Sequence, residues 1–118
     1  MRSALAVTTA ILVLLGSGIA EAADSGLLAQ TAGFLLGNAH RCGVPTDRVA
    51  HAEKVIHRLI GAASDDPTEE AAANSRFAET YRASAFPDQY GDVLNPRCKV
   101  VIAQFERLEQ HHQQAGLN

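Results

Sequence analysis

The chain contains two cysteines, Cys42 and Cys98, and they are the residues whose chemistry its sequence constrains most. The first residues of the chain have the pattern of an export signal. In an exported protein, an even and minimal number of cysteines indicates a structural disulfide. We therefore expect one disulfide between Cys42 and Cys98.

A redox pair is the alternative chemistry for the same cysteines. Cys98 lies between Arg97 and Lys99 near the predicted start of a helix, and both features favour its thiolate form. The chain, however, contains no Cys-x-x-Cys motif and no thioredoxin-like pattern of strands. The sequence therefore favours a structural disulfide over a reactive thiol.

The five histidines make metal binding the next candidate chemistry, because imidazole is the commonest metal ligand in proteins. His40 and His51 are predicted to lie near the cysteines, and His57 follows on the same helix as His51. These last two lie about 240° apart around that helix and flank its apolar face. No histidine spacing matches an established zinc or copper motif. Solvated histidines are the simpler interpretation, with His57 paired to Glu53 one turn earlier.

The acidic residues do not indicate a reaction, and the chain contains no recognised catalytic motif. Asp65, Asp66, Glu69 and Glu70 cluster at a predicted helix start, where the helix dipole favours negative charge without a ligand. They lack the glycine and the alternating oxygen ligands of a calcium loop. The chain contains no nucleophile elbow, phosphate-binding glycine loop or His-Glu-x-x-His motif. We expect a protein that is not an enzyme and uses no cofactor.

The connection between Phe86 and Leu94 is the predicted recognition surface. It is the one long connection in the predicted layout, and long irregular connections are often functional. Phe86 and Tyr90 are the candidate anchors for a partner protein, because aromatic residues contribute much of the binding energy of interfaces. The alternative interpretation is that both rings cover the end of an alanine-rich core.

The start of the chain has the three parts of a secretory signal peptide. Arg2 supplies the basic start, residues 4–15 form an apolar run, and small residues surround cleavage sites after Ala22 or, as a second choice, Ala20. The apolar run is shorter than the roughly 20 residues of a membrane span. We expect removal of residues 1–22 and a periplasmic or secreted protein without membrane attachment.

Residues 23–118 are long enough for one domain. The formal net charge of −3 provides no basic stripe for nucleic acid, so we expect no nucleic-acid partner. Because alanine is abundant and aromatic residues are few, the core is small and a disulfide would contribute much of its stability.

Hydrophobic periodicity predicts four helices and no strand. We expect helices over residues 25–41, 46–63 and 67–84, and a fourth whose polar tail frays from Gln110 onward. The predicted N-caps are Thr46, Asp66, which is followed by Pro67, and Asn95, which is followed by Pro96. The predicted inner faces are Leu28, Ala32, Leu35, Ala39 and Cys42 on the first helix; Val49, Ala52, Ile56, Leu59 and Ala63, widened by Val55 and Ile60, on the second; Ala73, Phe77 and Tyr81 on the third; and Cys98, Val101, Ile102, Phe105 and Leu108 on the fourth.

The cysteines agree with an up-down arrangement of these helices. Three short turns return the chain to the pole where the first helix ends, beside the start of the fourth helix. Cys42 and Cys98 lie at these two ends. The sequence thus predicts an all-α fold, a small up-down bundle of about four helices closed by one disulfide. An exposed apolar strip on the alanine-rich third helix would allow a homodimer.

The segment Leu35–Gly43, followed by Phe77, Tyr81, Arg82 and Cys98, resembles small exported two-cysteine α-helical proteins of Gram-negative bacteria. In those proteins a Cys-Gly pair closes the first helix and a second cysteine begins the last helix. The resemblance covers most of the chain after the signal segment. Most of those proteins have no assigned activity, so the resemblance assigns no functional residue.

Together these observations predict a non-enzymatic exported protein that binds another protein. An inhibitor, an immunity protein or an envelope accessory protein would each have these properties. The alternative function is a periplasmic metal-binding protein that uses His40, His51 and His57.

Overall fold

The computed structural model describes residues 24–90 and 95–115, so the predicted signal segment lies outside the described residues. Within the described ranges the fold is all-α and contains no strand, as predicted. None of the described helices is long and apolar enough to span a membrane. The helices are α1 (Ser25–Arg41), α2 (Thr46–Ala63), α3 (Pro67–Ala85), α4 (Pro87–Tyr90) and α5 (Cys98–Gln114).

The described chain has five helices where the sequence predicts four. The additional helix is α4, a single turn within the segment predicted as an irregular connection. Helix α1 contacts α2, α3 and α5, and its most extensive packing is against α3 rather than against its sequence neighbour α2. The predicted up-down order is therefore not confirmed, and the fold is an all-α assembly in which α1 is the central helix.

Helices α1 and α3 run parallel and lie in close contact. The Ser25 hydroxyl at the start of α1 donates a 2.8 Å hydrogen bond to Glu69 in the first turn of α3. Further along, a Cβ atom added to Gly33 would lie 2.7 Å from the Phe77 carbonyl oxygen. At Gly37 it would lie 2.5 Å from the carbonyl oxygen of Tyr81. These two glycines are one turn apart, and their lack of side chains lets the two backbones touch.

The predicted inner face of α1 is partly wrong. Ala32 and Ala39 are buried as predicted, but Leu28 and Leu35 are only half-buried. The prediction placed the leucines of α1 on its inner face. Helix α3, the closest neighbour of α1, instead packs against its smallest residues, Gly33 and Gly37. Burial therefore extends to Ser25, Ala29, Gly33, Leu36, Gly37 and Asn38.

The inner faces of the other long helices are largely as predicted. The buried residues of the resulting core include Val49, Ala52, Ile56 and Ile60 from α2, Ala73 and Phe77 from α3, and Val101, Phe105 and Leu108 from α5. The predicted members Leu59, Tyr81 and Ile102 are half-buried and pack against this core, and Ala63 and Cys98 are half-buried.

The predicted N-cap of α3 is confirmed, but the second hydrogen bond of its capping box involves a different residue. The Asp66 side chain accepts a 2.8 Å hydrogen bond from the Glu69 amide, as an N-cap does. The Glu69 carboxylate, however, accepts from the Asp65 amide at 3.1 Å rather than from the N-cap residue itself. The same carboxylate also binds Ser25, so this helix start joins α3 to α1.

Two other predicted N-caps are wrong. The N-cap of α2 is Pro45, and Thr46 is already the first helical residue. Helix α5 starts at Cys98 rather than at Asn95–Pro96, because Pro96 is engaged elsewhere: its carbonyl oxygen accepts a 2.8 Å hydrogen bond from Arg41.

The predicted fraying of the last helix is also wrong. Helix α5 continues past Gln110 to Gln114, and His112 in its last turn is buried. A polar composition suggested a solvated tail, but one buried side chain in this turn fixes the end of the helix against the fold.

Candidate functional site

The disulfide between Cys42 and Cys98 is confirmed, with an S–S distance of 2.02 Å and Cα atoms 5.4 Å apart. Cys42 is the C-cap of α1, and Cys98 is the first residue of α5. A disulfide is compatible with an oxidising compartment. It joins the end of the central helix to the start of the last one.

Hydrogen bonds of Arg41 form a polar tether beside the disulfide, between the end of α1 and the segment before α5. Arg41 donates through Nη2 to the Pro96 carbonyl oxygen at 2.8 Å and through Nε to Asn38 Oδ1 at 2.9 Å. Asn38 is fully buried, and its Nδ2 donates to the Phe34 carbonyl oxygen at 2.9 Å. Because Arg41 and Cys42 are adjacent, covalent and polar contacts together fix the C-terminal end of α1.

Phe86 lies at the same end of α1, between α3 and α4. Its N–H donates to the Arg82 carbonyl oxygen at 2.9 Å, and its own carbonyl oxygen accepts from the Gln89 amide at 3.0 Å. Its ring is 5.4 Å from the His40 ring, edge to face, and the side chain remains 40% exposed. The backbone is thus held on both sides of an aromatic ring that solvent can reach.

His40 connects this ring to α3. The His40 ring lies 6.2 Å from that of Tyr81, which is half-buried. Burial, and secondarily the negative charge of Glu53, raises the pKa of Tyr81, so its hydroxyl stays protonated at neutral pH. We call His40, Tyr81, Phe86 and α4 the Phe86 surface.

The second predicted anchor, Tyr90, ends α4, and its side chain lies outside the described part of the structure. The described part of the connection differs from an irregular loop because residues 87–90 are helical. The Phe86 ring lies edge to face against His40 and is substantially exposed.

The three histidines of the metal-binding hypothesis occupy separate surroundings. His40 belongs to the Phe86 surface, whereas His57 faces α3, with Nδ1 2.8 Å from Asn74 Oδ1. The predicted pairing of His57 with Glu53 is confirmed, at 3.6 Å between Nε2 and Oε2. His51 is exposed on α2. Within residues 24–90 and 95–115, no group of three or more His, Cys, Asp or Glu residues could hold a metal ion.

Sequence reasoning missed two features around these sites. One is the close contact at Gly33 and Gly37, for which the four-residue spacing of glycines was a readable signal. The other is the buried His112, which continues the spacing of three and four set by Phe105 and Leu108 on α5. A prediction based on apolar residues ends the buried face of α5 at Leu108, one turn before the buried His112.

No protein-family model, curated protein or solved structure matches the chain.

Proposed function

We propose that this chain is a non-enzymatic exported protein that binds another protein through the Phe86 surface. Export would remove residues 1–22, as their signal-like pattern indicates. The Cys42–Cys98 disulfide supports an oxidising destination such as the periplasm or the cell exterior. The observation that carries the binding proposal is the exposed ring of Phe86, whose backbone is hydrogen-bonded on both sides.

The contacts that hold Phe86 in place favour a role in binding over accidental exposure of an aromatic side chain. Aromatic residues are enriched among those that dominate binding energy at interfaces. A side chain that is already held in place loses little conformational entropy when a partner covers it. Here the backbone is hydrogen-bonded to Arg82 and Gln89, and the ring rests on His40.

The residues around the ring have the composition of an interface rim. Arg82, Asp88 and Gln89, which lie within four residues of Phe86 in the sequence, are exposed and polar, and the adjacent Pro87 is half-buried. Interfaces commonly combine such a polar rim with an apolar or aromatic centre that excludes water. The partner we infer is therefore a protein with an apolar pocket for one aromatic ring and polar groups around it.

A photo-crosslinking amino acid at position 86 tests this proposal in cells that express the full chain. Because the ring is exposed and preorganised, we expect a light-dependent adduct with one protein from position 86. The same group at Gln104, an exposed position on α5, should give no such adduct. Adducts at both positions, or at neither, would argue against a specific Phe86 surface.

The affinity of the captured protein then identifies the contact. Phe86→Ala should weaken binding tenfold or more, the effect of a residue that contributes at least about 1.4 kcal/mol. The matched control is Leu27→Ala, which removes a 56% exposed apolar side chain near the start of α1, about 20 Å along that helix from His40. Equal affinity of the two variants would contradict the proposal.

A further inference from the structure

The last turn of α5 contains a buried histidine without a hydrogen-bonding partner at one ring nitrogen. His112 is 2% exposed and lies on the face of α5 that also carries Phe105 and Leu108. Its Nε2 atom is buried and has no hydrogen-bond partner within residues 24–90 and 95–115. A neutral imidazole tolerates this position far better than an imidazolium, because a buried charge needs a counter-ion.

Most of the ionisable groups that act on His112 are basic. His51 and Arg58 on α2 and His111 on α5 all disfavour a proton on its ring. Burial first, and these three groups after it, lower the pKa of His112 below that of an ordinary histidine. The contact between α5 and α2 thus holds His112 in its neutral form.

The negative group in this environment is already paired. Glu109 favours protonation of His112, but only as the weakest influence. Its carboxylate accepts hydrogen bonds from Nε of Arg48, at 3.0 Å, and from Nη2 of the same residue. The Arg48 guanidinium also lies over the Phe105 ring, 5.6 Å from its centroid. Protonated His112 would compete with Arg48 for this carboxylate.

We propose that His112 is an acid-operated latch whose protonation releases the last turn of α5 from α2. Val55 is fully buried and lies between His51 and Arg58 on one face of α2, four residues after the first and three before the second. Release of the turn would expose the buried His112 side chain to solvent. The latch adds an acid response to the fold and does not depend on the Phe86 surface.

The direction of the pH dependence follows from proton linkage. A released His112 binds a proton more readily than the docked one, so acid favours release. Above a pH of about 7.5 both states are neutral and docking does not depend on pH. As the pH falls below about 6.5, docking weakens by at most tenfold per pH unit for one proton, and it levels off below the lowered pKa of the docked state.

Hydrogen exchange of the amides in the last turn of α5, measured on the full oxidised chain at several pH values, tests the latch. After correction for intrinsic exchange, the opening constant should rise by up to tenfold per pH unit as the pH falls below about 6.5, until the lowered pKa of the docked state is reached. His111→Gln, on the adjacent half-buried histidine that itself lowers the pKa of His112, should reduce this rise without abolishing it. His112→Gln should abolish it.

A direct titration of wild-type His112 by NMR keeps the test independent of how the variant folds. The latch requires the pKa of the His112 ring to lie below the roughly 6.5 of an ordinary histidine. The proposal would be overturned if His112 titrated at or above the roughly 6.5 of an ordinary histidine, or if the opening constant were the same at neutral and acidic pH. An unchanged pH dependence in His112→Gln would also overturn it.

Discussion

Replacing Gly37 by alanine is expected to lower the free energy of unfolding by about 2 kcal/mol. The added methyl carbon would lie 2.5 Å from the Tyr81 carbonyl oxygen and 2.7 Å from Ser84 Cβ, so α1 and α3 must move apart. Overpacking of this kind costs up to about 3 kcal/mol. The higher helix propensity of alanine offsets only about 1 kcal/mol of this cost. Urea denaturation of both proteins measures the difference.

Gly61→Ala is the matched control for this substitution. Gly61 also lies inside a helix, but a Cβ atom there meets only the Glu70 carboxylate, at 3.0 Å, which is the mobile end of a flexible side chain. We expect this variant to be as stable as the wild type or up to about 1 kcal/mol more stable. If Gly37→Ala were equally harmless, the close parallel packing of α1 on α3 would be incorrect.

Removing the disulfide by the double substitution Cys42→Ser and Cys98→Ser is expected to have the largest effect. Closing a loop of this length, with a sequence separation of 56, corresponds to about 4 kcal/mol of chain entropy in the unfolded state. Native domains are stable by only about 5–15 kcal/mol, so the variant should be close to unfolding. Urea denaturation under non-reducing conditions measures the loss.

The reducing agent itself provides the control for this prediction. Reduction should destabilise the wild type by a similar amount and leave the double serine variant unchanged, because that variant has no disulfide to lose. A difference of less than about 1 kcal/mol between oxidised and reduced wild type would show that the tether of Arg41 to Pro96 suffices to hold α5.

The helices that sequence patterns predicted well are those with a single apolar face of large residues. On α2 and α5, residues such as Ile56 and Phe105 mark the inner face, because the opposite face is polar. Helix α1 has neighbours on several sides, and its closest contact is made where side chains are missing. Hydrophobicity scales do not indicate whether a glycine is buried, because glycine has no side chain. A prediction based on apolar residues therefore missed Gly33 and Gly37.

The candidate sites divide in a similar way. The pairing of Cys42 with Cys98 could be predicted because the chain has no other cysteines. Phe86 could be selected as an aromatic residue in a connection, but its contact with His40 depends on how α1 and α3 pack. That contact joins residues distant in sequence, which no local pattern encodes. His112 was missed because its polarity outweighed its regular spacing on the α5 stripe.

The measurement that tests the central claim most directly is the intact mass of the protein purified from its native exported fraction, under non-reducing and non-denaturing conditions. We predict the mass of residues 23–118 less the two hydrogens lost in the disulfide, together with the mass of one bound protein that is absent in Phe86→Ala. The full-length mass, two free thiols, or a bound metal ion or small molecule in place of a protein would contradict the account.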